Sequence, residues 1–214
     1  MPEYPGIWGT AFAISYYGQI VFLTAKHLLR GIDEQLVVSV PTLYGRWVEI
    51  EMEAVSFRST CDPEFSDVTD VAILYMPTSA TSTADGTDLY PAGEFAVDMA
   101  VAPTGCPLVV RGYPREHPGN FVNVDERGLK FHAYSAQGYY RGPSGLNGMH
   151  KIDIDLTEVG GPQGFSGSPV FAPVLRDGEW WPGLAGMVLR GGGNILHFLD
   201  VKSLYIYLQI CLGP

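Results

Sequence analysis

Apolar and polar residues alternate along most of this chain in short runs, which is a pattern of strands. Residues 47–57 set Val48, Ile50 and Met52 against Glu49, Glu51 and Glu53, the two-residue period of a strand with one buried face. Residues 10–15 and 19–23 flank Tyr17-Gly18 and read as a hairpin. Residues 36–40 end at Pro41, and residues 71–75 form a short apolar run closed by Pro77. Further on, 107–113, 129–133, 150–156, 168–174, 184–189 and 195–201 read as strands in the same way. Residues 77–86 (PTSATSTADG) are rich in Ser, Thr, Ala and Asp and read as a solvated loop or an inter-lobe linker. Only the tail, residues 200–211, shows helical spacing, with Leu204, Tyr205, Leu208 and Cys211 on one face and Asp200 as its cap. The pattern predicts an all-β chain, a sandwich or barrels, with an interruption near the middle and one terminal helix.

Composition agrees and narrows the partners. The 214 residues are 46% hydrophobic and 17% charged, which suits one globular all-β domain with a substantial core. Twenty-six Gly and sixteen Pro fit many turns rather than long helices. The formal charge of −10, with Lys and Arg scattered, argues against nucleic acid as a partner, because phosphate binding needs a concentrated basic surface. No run is long and apolar enough for a membrane span, so no membrane partner is expected. The opening residues MPEYPGIWGT lack the features of a secretory leader. Cys61, Cys106 and Cys211 are an odd, sparse set, read as reduced thiols, and a cytoplasmic protein is the expectation. The histidines show no metal-ligand spacing with Cys or carboxylates, so neither a metal nor a cofactor is expected.

Three short strings carry candidate chemistry. The first is Gly164-Phe165-Ser166-Gly167-Ser168-Pro169. A serine hydroxyl is a poor nucleophile unless a base removes its proton and N–H donors stabilise the oxyanion it creates. Gly164 permits the tight turn that presents the backbone N–H groups of Gly164 and Ser166 to one point. By itself this string also suits a Gly/Ser turn between strands. The second is Thr24-Ala25-Lys26-His27, which places a histidine on a turn at a strand end. The third is Asp67-Val68-Thr69-Asp70, leading into the apolar run Val71-Ala72-Ile73-Leu74. An Asp there is a turn residue unless it is set beside a His, where it orients the imidazole. Asp67 is the competitor for that place, but no apolar strand follows it directly.

In order, Thr-Ala-x-His, Asp-Val-Ala-Ile-Leu and Gly-x-Ser-Gly-Ser-Pro resemble the three marks of the trypsin/chymotrypsin-like serine proteases. Gly9-Thr10-Ala11-Phe12, Gly112-Tyr113-Pro114, Gly186-Met187-Val188 and the closing helix resemble further parts of that family. The wording is similar to its bacterial glutamyl-endopeptidase and high-temperature-requirement branches, whose members often lack disulfides. The resemblance implies two six-stranded antiparallel β-barrels at about residues 8–90 and 105–200, and a helix at 200–212, within a single peptidase domain. It implies a serine endopeptidase with Ser166 as nucleophile, His27 as general base and Asp70 orienting it. Gly164 and Ser166 would form the oxyanion hole, with a protein or peptide as substrate.

Two departures qualify the implied activity. Digestive members carry Asp at the position of Phe165, where it pairs with a freed N-terminal amine. A phenyl ring cannot make that pair, so maturation by N-terminal insertion is not expected, and Phe165 either packs beneath the turn or distorts it into a latent state. The position at the floor of the specificity pocket is Gly160, which brings no charge for Lys or Arg substrates. Arg190, followed by Gly191, could meet an acidic substrate side chain, while an exposed Arg without a role fits equally; His197 is another conceivable pocket residue. A regulatory protein partner would restrain such a protease in a cell. The alternatives are a catalytically latent or inactive peptide-binding module and an α/β-hydrolase-type esterase using Ser166, Asp177 and His197. The esterase reading suffers from the absence of alternating helices.

Overall fold

A computed structural model describes residues 9–29, 36–41, 47–55, 70–75, 96–123, 128–130, 132–146 and 148–213. Cys61, Asp67 and the 77–86 stretch lie outside them. β1 (Ala11–Tyr16) and β2 (Gln19–Ala25) form a hairpin in which Tyr16 pairs with Gln19. Its turn is Tyr17-Gly18, with φ of 46° and 78°. Two successive residues in the left-handed region match the twist of paired strands, and glycine takes that conformation freely. β3 (Leu36–Pro41) pairs with β4 (Trp47–Val55), and β5 (Val71–Tyr75) lies between β2 and β4. Among the described residues the first lobe is therefore an open five-stranded sheet, ordered β1-β2-β5-β4-β3, where a closed six-stranded barrel was expected.

The second lobe closes as expected. β6 (Pro107–Gly112), β9 (Tyr134–Pro143), β10 (Met149–Ile154), β11 (Pro169–Arg176), β12 (Glu179–Gly192) and β13 (Ile195–Asp200) form a barrel in the order β10-β13-β12-β11-β6-β9. A separate two-stranded ribbon joins β7 (Phe121–Asn123) to β8 (Gly128–Lys130). The ten-residue β9 departs most from the sequence reading, which places a strand at 129–133, overlapping only β8, and none at 134–143. Its inward positions are Ala136, Gly138, Tyr140 and Gly142, and its outward ones include Tyr139. Glycine faces the core at 138 because the barrel wall is tight there. A Cβ on Gly138 would come within 2.6 Å of Ile152 Cγ2 and Asp153 O. The hydrophobic alternation that marks a strand is therefore erased.

Two cores result. One fills the barrel with Leu108, Val110, Ile152, Phe165, Val170, Val188 and Phe198. The other joins the lobes: Phe12, Ile14, Leu23, Val71 and Ile73 of the first sheet pack with Met149, Met187 and Leu199 of the barrel and with the terminal helix α1 (Val201–Leu212). Asp200 caps this helix by accepting from Ser203 N at 2.6 Å, as its sequence suggests. The buried face is Val201, Leu204, Tyr207 and Leu208, so Tyr207 replaces Tyr205 of the expected stripe. Tyr207 is selected because its hydroxyl donates to Val71 O at 2.8 Å, tying the helix to the first lobe. The described residues contain no helix long and apolar enough to cross a membrane.

Candidate active site

Strand register explains why two distant residues meet. β2 and β5 run antiparallel with Ala25 opposite Val71, so the end of β2 lies beside the start of β5. The chain leaves β2 into a single 3-10 turn, Lys26–Leu29, and enters β5 from Asp70. His27 and Asp70 are therefore neighbours. Asp70 Oδ1 accepts from the His27 backbone N at 2.9 Å, and Asp70 Oδ2 lies 2.8 Å from His27 Nδ1. With both carboxylate oxygens engaged, Nδ1 carries the proton and Nε2 is left as the basic nitrogen. The two side chains are 34% and 30% exposed, so solvent can reach the pair.

Ser166 reaches the same region from the other lobe. Its carbonyl accepts from Thr10 N at 2.8 Å, just ahead of β1. Gly9 sits between the two loops: a Cβ there would fall against Leu28 of the histidine turn and 2.9 Å from Ser166 O. The Ser166 hydroxyl donates to Leu189 O at 3.4 Å, a long contact for a hydroxyl.

The turn from Gln163 to Gly167 is held one peptide plane at a time. Gln163 O accepts from Arg115 N at 2.9 Å, and Phe165 O accepts from Ser168 N at 2.9 Å. In a trans peptide the carbonyl and the following N–H point in opposite directions, so these two bonds aim the Gly164 and Ser166 N–H groups away from Arg115 and Ser168. Phe165 N donates to Pro162 O at 3.1 Å and Gly167 N to Val188 O at 2.8 Å. Among the described residues, the Gly164 and Ser166 N–H groups take no part in the hydrogen bonds that tie this turn. Glycine is required at 164 (φ 92°), where a Cβ would stand 2.7 Å from Arg115 N and 3.0 Å from Pro114 Cα. Phe165 is wholly buried in the barrel core, and the turn keeps its hydrogen bonds above it.

The other residues singled out by sequence fall into two groups. Gly191 borders the turn, since a Cβ on it would come within 2.9 Å of Pro162 Cβ. Arg190 is exposed on β12, in register with His197 on β13. Gly160 is exposed at the end of a short 3-10 turn, Thr157–Val159, with φ 73°. It brings no charge itself, but the Glu116 side chain lies against it, which the sequence did not reveal. Asp177 sits at the tip of the β11–β12 hairpin with its side chain 92% exposed, and the described residues show no alternation of helices with strands, so among them the arrangement of an α/β hydrolase is absent. Cys106 is a free thiol. Thr10 belongs to the Gly9-Thr10-Ala11-Phe12 string, but the sequence assigns it no part in the site; its partners in the serine turn lie far along the chain.

No protein-family model and no curated protein matches the sequence. Solved structures do match in shape. One, the inactive form of the Rv3671c protease, is 20% identical with a TM-score of 0.54 over 95% of this chain and 84% of its own. A thermostable serine protease, AL20, from an extremophilic microorganism is 16% identical with a TM-score of 0.57 over 93% and 87%. A third, from work on aromatic interactions in the coupled folding and binding of the intrinsically disordered Sesbania mosaic virus VPg protein, is 15% identical with a TM-score of 0.51 over 96% and 85%. At such identities the likeness speaks for architecture alone. The chain has a chymotrypsin-like fold, shared with serine proteases: a closed six-stranded barrel, a partial second sheet and a C-terminal helix.

Proposed function

We propose that this chain is a serine endopeptidase. The observation that carries the reading is the pair of bonds that one carboxylate, Asp70, accepts from the backbone and ring of His27, beside a serine turn with two N–H groups left over. In this reading His27 Nε2 takes the Ser166 proton as Ser166 Oγ attacks the scissile carbonyl, and Asp70 stabilises the imidazolium that forms. The Gly164 and Ser166 N–H groups meet the oxyanion. The imidazolium then protonates the leaving amine, and water, activated by the same nitrogen, releases the acyl group from Ser166.

The substrate chain has a place to lie. β11 and β12 pair only as far as Pro169 opposite Met187, whereas β12 continues to Gly192. An extended peptide can add alongside that continuation as a strand. Gly191 leaves room there, Gly160 lies at the far end of the turn segment, and Arg190 is the group for an acidic substrate side chain. The latent alternative draws no support from Phe165, whose ring packs in the core.

The test is active-site labelling of the purified chain with a fluorophosphonate, located by mass spectrometry, followed by N-terminal profiling of a cleaved peptide library. Labelling at Ser166, absent from His27→Ala, together with cleavage that disappears in Ser166→Ala, is the expected result. A folded chain that leaves Ser166 unlabelled, or cleavage that survives in Ser166→Ala, would refute the proposal. Equal cleavage after neutral and acidic residues would remove Arg190 from the pocket.

A further inference from the structure

We propose that Thr10, in the first lobe, is the positioning residue for the oxyanion turn in the second. Thr10 is only 4% exposed and makes four hydrogen bonds to other described residues. Its N–H donates to Ser166 O at 2.8 Å. Its hydroxyl donates to Gly164 O at 3.0 Å and accepts from Tyr113 N at 3.0 Å. Its carbonyl accepts from Thr24 Oγ1 at 2.8 Å, which ties it back to β2 three residues before His27.

The pattern of these bonds shows what the residue does. Of four successive peptide planes from Gln163 to Gly167, the first and third are set by Arg115 N and Ser168 N, within the second lobe. The second and fourth present their carbonyls, Gly164 O and Ser166 O, to the hydroxyl and amide of Thr10. Thr10 thus fixes the planes on either side of the Ser166 N–H. Loss of either bond would free the φ and ψ torsions at Gly164, Phe165 and Ser166, about which the planes carrying the two donors are hinged. The same hydroxyl holds Tyr113 N, whose carbonyl and following residues back Gly164. One residue therefore joins the turn and its backing loop, through its hydroxyl and amide, to the strand that leads to His27, through its carbonyl and Thr24.

The surroundings are shaped to keep it there. A Cβ on Gly112 would stand 3.0 Å from Phe165 Cδ1 and 3.1 Å from Thr10 Oγ1, and one on Gly167 would strike Thr10 O. Ser168 Oγ is buried beside Gly112 and has no hydrogen-bond partner among the described residues, while Gly164 O accepts from Thr10. Phe165 lies beneath, fully buried. A turn clamped in this way needs no ion pair at position 165 to keep its donors aimed.

The inference rests on the assignment of the Gly164 and Ser166 N–H groups as oxyanion donors, and its test separates the two. Thr10→Val keeps the shape and removes the hydroxyl; Thr10→Ser keeps the hydroxyl. With both variants shown folded by circular dichroism, fluorophosphonate inactivation of Thr10→Val should be about 10- to 100-fold slower, somewhat below the loss for an oxyanion donor itself. Thr10→Ser should stay within about threefold of the wild type, and the pH at half-maximal rate should not move, because His27 and Asp70 are untouched. Backbone hydrogen exchange of residues 162–168, which needs no catalysis, should be faster in Thr10→Val alone. Wild-type inactivation and exchange in Thr10→Val would overturn the clamp, as would a folded Thr10→Ser that loses tenfold or more. If the wild type itself is not labelled, the protease reading fails, and the exchange measurement still decides the clamp.

Discussion

Asp70→Asn tests the candidate triad most sharply, because the structure specifies how it should fail. Asp70 accepts twice, from the His27 backbone N–H at 2.9 Å and from the ring Nδ1–H at 2.8 Å. Asparagine offers one acceptor oxygen and one donor amide. If the oxygen faces the backbone N–H, the amide faces Nδ1 and forces that nitrogen to accept, so the ring proton moves to Nε2. If the amide is flipped, two donors confront each other at the His27 backbone. The first arrangement wins, since an unmade backbone bond costs about 1–3 kcal/mol. It leaves Nε2 protonated and unable to take the Ser166 proton. Loss of a general base costs about 10²–10⁴ in rate, and the wrong tautomer in a comparable triad costs about 10⁴. Acylation should therefore fall by about 10³–10⁴, which is about 4–5.5 kcal/mol of barrier. The assay is the second-order rate of fluorophosphonate inactivation across pH 6–9, with thermal unfolding as a control for an otherwise isosteric change. An Asp70→Asn rate within about tenfold of wild type, beside an inert His27→Ala, would show that this carboxylate does not set the tautomer.

Three further outcomes follow from the same coordinates. Gly164→Ala places a Cβ on a residue with φ 92°, 3.0 Å from Pro114 Cα, so acylation should drop by about 100-fold for a stability cost of about 1–3 kcal/mol, whereas Gly178→Ala, with φ 84° but open space, should leave acylation alone. Phe165→Ala empties a fully buried site in the barrel core and should lower stability by about 3–5 kcal/mol in urea unfolding; a loss under about 1 kcal/mol would contradict its burial. Asp200→Ala removes the cap of α1 and a partner of the buried His150, at a cost of about 1–3 kcal/mol at pH 7. Burial pushes the Asp200 carboxyl up, but its hydrogen bonds from His150 and Ser203 outweigh that and hold it below the usual carboxylate range. Its contribution is therefore fully present above the unfolded value of about 4 and is lost as pH falls through the lower folded value. The gap between wild type and Asp200→Ala should close at acid pH, and a gap that widens there in urea titrations would reverse the sign of the argument.

Features whose cause is local were legible in the amino-acid order. Tyr17-Gly18 turns the first hairpin because two adjacent residues can adopt positive φ, and Asp200 caps α1 through a residue three places on. The His27, Asp70 and Ser166 strings were readable for the same reason, each being a turn at a strand end. What joins those strings is long-range. Asp70 meets His27 only because β2 and β5 pair with Ala25 opposite Val71, and no short window contains that register. β9 escaped notice because the closed barrel needs small residues where a hydrophobic stripe would otherwise show. The part played by Thr10 depends on partners 154 and 103 residues away, Gly164 O and Tyr113 N, so its importance belongs to the packing of one lobe on the other. A side chain's own chemistry offers a hydrogen bond; the folded chain decides which distant atom receives it.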